Sequence, residues 1–210
     1  MANVEMTRKE REKLMHKDAI LNASVRLFSE KGFHNVSMQD IAEESEYAVG
    51  TLYNFFQSKE QLFAELMSNC ANKIYNTIWP ILESNLREDE KLRTLMRGYN
   101  KMVEENLEFI RLYISEFGTL TLILPHDSHS DKIMHTIDAR FTEVIKSGIK
   151  NKIFRPLDGE IVAIAFLSTV RAFILESSRN YDKVKLEQGL AKIEHLFIDS
   201  LLMPENRDNG

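Results

Sequence analysis

Cysteine and tryptophan each occur once in this 210-residue chain, and proline and glycine are scarce at 4 and 8. The lone Cys70 excludes an intrachain disulfide and reads as a small buried residue, so nothing points to an oxidising compartment. With few Pro or Gly breaks and no long stretch alternating at period two, the expected fold is all-α. No apolar run is read as reaching the length of a membrane span. The charged N-terminus lacks the apolar core of a secretory signal, so a cytoplasmic protein with no membrane partner is expected. Enzyme signatures are missing as well: there is no phosphate-cradling Gly-rich loop, no His-Glu-x-x-His and no serine elbow. Neither catalysis nor a cofactor is expected. His126, Asp127, His129 and Asp131 form the one cluster of ligand-type side chains. Lying in the predicted polar loop after Pro125, they read as a solvated turn and not as a zinc site.

What the chain does contain is concentrated between Val36 and Phe63. Ser37 is placed to cap a helix with Asp40 at its N3 position, and Val36 and Ile41 are spaced as a hydrophobic staple. Ile41 and Ala42 supply that helix's apolar face. A second short helix follows near Ala48, with Val49, Leu52 and Phe56 apolar and Thr51, Tyr53 and Asn54 able to hydrogen-bond. Ser58 and Gln61 then form a capping pair for a longer helix. Two short helices joined by a tight turn make a helix-turn-helix, whose second helix enters the major groove by its N-terminal residues.

The segment resembles the N-terminal domain of the tetracycline-repressor (TetR) family of transcription regulators. The matching residues are Ile20-Leu21, Leu27-Phe28, Lys31-Gly32-Phe33, Ser37, Ile41-Ala42 and Gly50-Thr51-Leu52-Tyr53, with Phe55 or Phe56, Lys59-Glu60 and Leu62. The resemblance implies a three-helix DNA-binding domain over residues 1–58. It also implies a ligand-binding and dimerisation domain over 59–210, about nine helices in all, acting as a homodimer on double-stranded DNA. By the same resemblance Ala48, Val49, Gly50 and Thr51 open the reader helix, Tyr53 and Lys59 contact phosphates, and Gln39 and Asn54 are auxiliary readers. Where the family usually has a glycine in the turn and a serine capping the reader helix, this chain has Glu46 and Ala48. Either the turn geometry shifts or the DNA affinity is modest.

Charge runs against nucleic acid at first sight, because the chain carries −5 overall. The cations are unevenly placed, however. Arg8, Lys9, Arg11, Lys13 and Lys17 sit before or at the start of a first helix predicted from about Lys17 to Lys31. They form an arm that can follow a DNA backbone or stay solvated, since Glu5, Glu10 and Glu12 are interleaved. Phosphate contact needs a local patch, not a cationic protein.

The remainder reads as helices with short breaks. A long helix is expected from about Lys59 toward Trp79, where Pro80 marks a kink or an end. Helices follow over roughly 88–106, 107–122 and 131–151. The segment Ile161 to Leu175 is apolar on nearly all sides, so it should be buried on nearly all sides. Leu186, Leu190, Ile193, Phe197 and Leu201 fall on one helical face. Together with Ile161, Ala165 and Phe173 they are the candidate dimer interface, the resemblance implying that this pair of helices packs on its twofold mate. Trp79, Met96, Tyr99, Met102, Tyr113, Phe117, Phe141 and Phe166 are candidates to line a pocket for a small apolar effector. Arg171, interrupting the most hydrophobic helix, would meet a ligand carboxylate, pair with Glu116 or Glu143, or emerge at a surface. The function expected is a ligand-released repressor of a palindromic operator. The alternative is a helical ligand-binding or interaction protein that has lost specific operator binding.

Overall fold

The computed structural model describes residues 6–112 and 128–209. It is all-α, with nine helices among those residues, and separates into two compact units. Of the described residues, 6–69 and 112 fall in the first unit, and 70–111 and 128–209 in the second.

In the first unit, α1 runs Arg8–Lys31, nine residues longer at its start than the sequence predicts. The reason is local: Thr7 and Glu10 close a capping box, and Arg8 pairs with Glu12 at 2.8 Å one turn on, so the helix forms without burying anything there. Burial begins at Ile20, and the helix ends at Gly32, whose φ of 79° is left-handed territory open to glycine. A 3₁₀ turn at Phe33–Asn35 leads to α2 (Met38–Glu44), α3 (Val49–Phe55) and the start of α4 (Lys59–Leu82). The predicted Ser37–Asp40 capping box is present, and Ser37 donates to the Asp40 carboxylate at 2.5 Å. That hydrogen bond, with a second from the Ser37 backbone, holds the carboxyl below its ordinary range. Three buried rings meet at the centre: Phe33 lies 5.4 Å from Phe28 and 5.0 Å from Phe63, which is 5.8 Å from Phe28. Ile20, Ile41, Leu52, Phe56 and Leu62 fill in around them.

The later turns of α4 belong to the second unit. Pro80 lies in its last turn without ending it, because the helix runs on to Leu82. Lys91, buried, donates its ammonium to the Leu82 carbonyl at 2.9 Å and so satisfies part of that C-terminus. α5 (Glu88–Glu105) is followed by α6, helical over 107–112, then α7 (His129–Lys150), α8 (Gly159–Arg179) and α9 (Lys183–Glu194). α9 continues as one π-helical turn, His195–Asp199. Helix α7 packs on α8, and α9 packs on both α5 and α8. Arg93 ties α5 to the end of α9, donating to Glu194 at 2.8 Å and Asp199 at 2.5 Å. Leu82, Leu92, Val103, Ile145, Phe166, Leu186 and Ile198 form the core between these helices.

After α7 the chain turns through Lys152, whose φ of 59° is left-handed. Lys152 N–H donates to Ile149 O at 3.1 Å and Ile153 N–H to Gly148 O at 2.9 Å, the paired bonds of a Schellman turn. The turn lays the Phe154 ring directly on Gly148. A Cβ at Gly148 would stand 2.2 Å from that ring, which is 1% exposed and has nowhere to go. Gly148→Ala should therefore cost about 1–3 kcal/mol through overpacking. Chemical denaturation checks this; an unchanged midpoint would mean the ring has an alternative seat.

Candidate nucleic-acid interface

The turn between α2 and α3 explains how the chain manages without the family's glycine. Glu46 itself takes the left-handed conformation, with φ of 59°. Its N–H donates to Glu43 O at 3.2 Å and the Tyr47 N–H to Ala42 O at 3.0 Å, again the Schellman pairing. The turn geometry is thus kept and the side chain bears the strain, about 1–2 kcal/mol for a non-glycine residue. Ala48 sits at the N-cap of α3 and makes no side-chain cap, as its lack of a hydroxyl requires.

On α3, Leu52 is fully buried and anchors the helix, while Val49 and Thr51 are half-buried and Ala48, Gly50, Tyr53 and Asn54 are exposed. Tyr53 is 52% exposed, a large aromatic ring with no apolar seat. Gly50 faces open space, since a Cβ added there meets nothing within 4 Å. Packing within the protein therefore does not require this glycine. Gln39 is exposed on α2 with its amide on Glu43 at 3.0 Å. Lys59 is placed differently from a free phosphate-binding cation: its ammonium donates to Phe33 O at 2.8 Å and Val36 O at 2.7 Å and lies 4.4 Å from the centre of the Phe33 ring. Two of its three N–H groups are spent on pinning the turn before α2 to α4, which leaves one. No local sequence pattern signals this double contact, because its acceptors are backbone carbonyls more than twenty residues away.

The candidate residues of the second unit divide by burial. Met96, Tyr99, Phe141 and Phe166 are buried in the core, and Met102 packs against it. Phe141 stacks on Phe166 at 5.2 Å, and Phe197 meets Phe166 edge-on at 5.4 Å. Burial pushes the Tyr99 hydroxyl up to about 12. Trp79 instead stacks on Tyr75 at 5.0 Å and lines an open groove of about 720 Å³ with Arg140, Lys146 and Ile164. Arg171 emerges at the surface and pairs with Asp138 of α7, while Glu143 pairs with Lys146. Tyr113, Phe117, Glu116, His126 and Asp127 lie outside the described residues. His129 and Asp131 fall in the first turn of α7, where Ser128 caps the helix and accepts from the Asp131 N–H, so the helix starts two residues before the expected position. Among the described residues no group of three or more His, Cys, Asp or Glu is placed to hold a metal ion.

The α8 surface departs from expectation. The helix is not buried on nearly all sides: Ala163, Phe166, Leu167, Val170 and Ile174 point into the core, while Ile161 and Ile164 are 63% and 62% exposed. Ala165 is exposed beside them, and on α9 and the π turn Val184 and Leu196 are exposed too. By length and composition alone α8 is also long and apolar enough to cross a membrane, contrary to the expectation that no run reaches that length. Leu186, Leu190, Ile193 and Leu201, by contrast, are buried within the chain itself, and Phe173 and Phe197 are half-buried. The face left uncovered is thus a different one from the leucine stripe, because that stripe already packs on α5 and α8.

Two short helices joined by a left-handed turn, with the second presenting small and polar residues outward, define a helix-turn-helix transcriptional regulator. Residues 20–66 match the model of bacterial regulatory proteins of the tetR family, and residues 85–174 match the tetracyclin repressor-like C-terminal domain. The chain belongs to the TetR family of transcriptional regulators. An uncharacterized helix-turn-helix regulator of Bacillus subtilis, YhgD, is 22% identical over 187 residues, spanning 88% of this chain and 96% of its own. The fold is shared with FadR of Bacillus subtilis, solved in complex with stearoyl-CoA (TM-score 0.74, 17% identity, 88% of this chain and 98% of that one). It is also shared with the ketosteroid transcriptional regulator KstR2 of Mycobacterium tuberculosis (TM-score 0.73, 21% identity, 89% and 95%).

Two substitutions separate structural from DNA-directed roles. Glu46→Gly relieves the left-handed strain and, after allowing for the freer unfolded chain, should raise stability by about 0.5–1 kcal/mol; a lower melting temperature would refute the strain. Gly50→Ala should also stabilise the isolated protein, by up to about 1 kcal/mol of helix propensity, yet weaken DNA binding tenfold or more by blocking close backbone approach. Unimpaired binding by the alanine variant would show that DNA does not approach there.

Proposed function

We propose that the protein is a ligand-responsive transcriptional repressor that binds a palindromic DNA operator as a homodimer and releases it when a small apolar effector binds. The carrying observation is the reader helix α3: anchored by Leu52, entered through the strained but intact turn at Glu46, and exposing Ala48, Gly50, Tyr53 and Asn54. Thr51 and Asn54 are the base-reading candidates, with Val49 meeting a thymine methyl and Gln39 assisting from α2. Tyr53 and the remaining N–H of Lys59 serve the phosphates.

Dimerisation uses α8 and α9. The exposed Ile161, Ile164 and Ala165, with Val184 and Leu196, supply the contact, and Phe173 and Phe197 lie half-covered beside it. Leu186, Leu190, Ile193 and Leu201 support this face from behind. Each large apolar side chain fully covered by a second copy is worth about 1.5–3 kcal/mol, which favours a partner protein over water. The repressor acts in the cytoplasm, where the operator is.

The effector is proposed to be apolar, of the acyl or steroid kind, in keeping with the ligand of FadR and the name of KstR2. It would displace or reorder side chains among Met96, Tyr99, Met102, Phe141 and Phe166, with Trp79, Tyr113 and Phe117 as further contacts. The two unbranched methionines adapt most easily. An effector carboxylate would have to draw Arg171 away from Asp138. Because α4 carries residues of both units, its tilt is the proposed link, and operator and effector must then weaken each other by the same factor. A tenfold effect needs only about 1.4 kcal/mol of coupling.

Selection of bound duplexes from a random pool tests the reading, with a palindromic site as the expected product. No enrichment would leave a helical ligand-binding or interaction protein. Sedimentation should show a homodimer at micromolar concentration and a monomer for Ile164→Glu; a wild-type monomer would remove the dimer from the proposal. With the site in hand, oleoyl- and stearoyl-CoA affinities should fall in the presence of operator. Equal affinities with and without DNA would eliminate effector-driven release by these compounds.

A further inference from the structure

The first turns of α1 are exposed to solvent. From Arg8 through His16 every residue is exposed, and the first buried position is Ile20. The helix is continuous, so its faces run on unchanged from the packed part into the protruding part. Ile20, Ser24 and Leu27 face the core of the first unit; continuing that stripe toward the N-terminus at helical spacing gives Lys17, then Lys13, then Lys9. The face that becomes apolar where it covers the unit is cationic where it overhangs it. Lys17 is already used, on Glu65 at 2.8 Å and 5.7 Å from the Phe56 ring centre. Lys9 and Lys13 form no hydrogen bond or ion pair among the described residues. Of the three interleaved carboxylates that argue against a DNA contact in the sequence, Glu10 closes the cap with Thr7 and Glu12 pairs with Arg8, while Glu5 lies outside the described residues.

The overhang also starts beside the reader helix. The His16 ring lies 5.2 Å from the Tyr47 ring, one residue before the N-cap of α3. From His16 back to Lys9 is seven residues, or roughly 10 Å along a helix, about the reach from a major-groove edge to neighbouring phosphates. We infer that the protruding start of α1 is a second DNA-contacting element, in which Lys9 and Lys13 bind backbone phosphates flanking the bases read by α3. The inference rests on operator binding by α3 and adds to it a sequence-independent contact. An anionic membrane surface would suit the same cations, but their position next to the reader favours DNA.

The test compares wild type with Lys9→Gln/Lys13→Gln on a duplex selected by the wild-type protein and on a scrambled duplex, over a salt series. Both residues are exposed, so the melting temperature should not change. Affinity should fall by at least roughly tenfold on both duplexes at 0.1 M salt, and the slope of log K against log salt should flatten by about 3.6 for the homodimer, at 0.9 for each of the four phosphates that the two copies no longer neutralise. The preference between the duplexes should stay the same. An unchanged slope with intact wild-type binding overturns the overhang contact alone, as does loss of binding to phosphatidylglycerol vesicles without any change on DNA. A wild-type protein that binds neither duplex overturns operator binding itself, and this inference with it.

Discussion

The first unit depends on the mutual burial of three phenylalanine rings drawn from three separate segments. Phe28 comes from α1, Phe33 from the turn after it and Phe63 from α4, and all are at most 2% exposed. Paired aromatic rings at such separations contribute about 0.5–1.5 kcal/mol beyond their area. Their larger effect is geometric, since three rings in contact fix three chain segments at once. Lys59 adds to this by placing its ammonium against Phe33 and on two carbonyls of the same turn. Helix α3 is not part of the ring cluster. Its buried Leu52, with Phe56 just after its end, holds it in the unit, so its outward residues are free of structural duty.

The legible parts of this architecture are those written in local chemistry. Capping pairs such as Ser37 with Asp40, and the glycine at 32, depend on neighbours three or four residues away, and a sequence displays such neighbours directly. The start of α1 is harder to place, because its first turns have no apolar face to display and only the polar cap at Thr7 marks them. Glu46 shows that a turn can persist with an unfavourable residue when its hydrogen bonds are satisfied. Position-by-position expectation cannot weigh that balance.

Burial within the chain is harder to read than helix position. Leu186, Leu190, Ile193 and Leu201 form as good an apolar stripe as any interface, and only tertiary packing decides that α5 and α8 cover it. Ile164 and Leu196, exposed, sit among similar residues that are buried. A helix with apolar residues on several faces does not declare which face has an internal partner. The same ambiguity applies to Arg171, whose partner Asp138 lies 33 positions away in the chain on a different helix.

The single cysteine has a practical consequence. Cys70 lies within α4, is 5% exposed, and burial pushes its thiol up to about 12. A thiol in that condition does not react until the helix around it opens, because the thiolate is the nucleophile. With no second cysteine in the chain, the rate of its modification by a soluble thiol reagent is a direct measure of how often α4 loosens. The protein thus carries its own reporter on a helix that contributes to both units, readable without any introduced label.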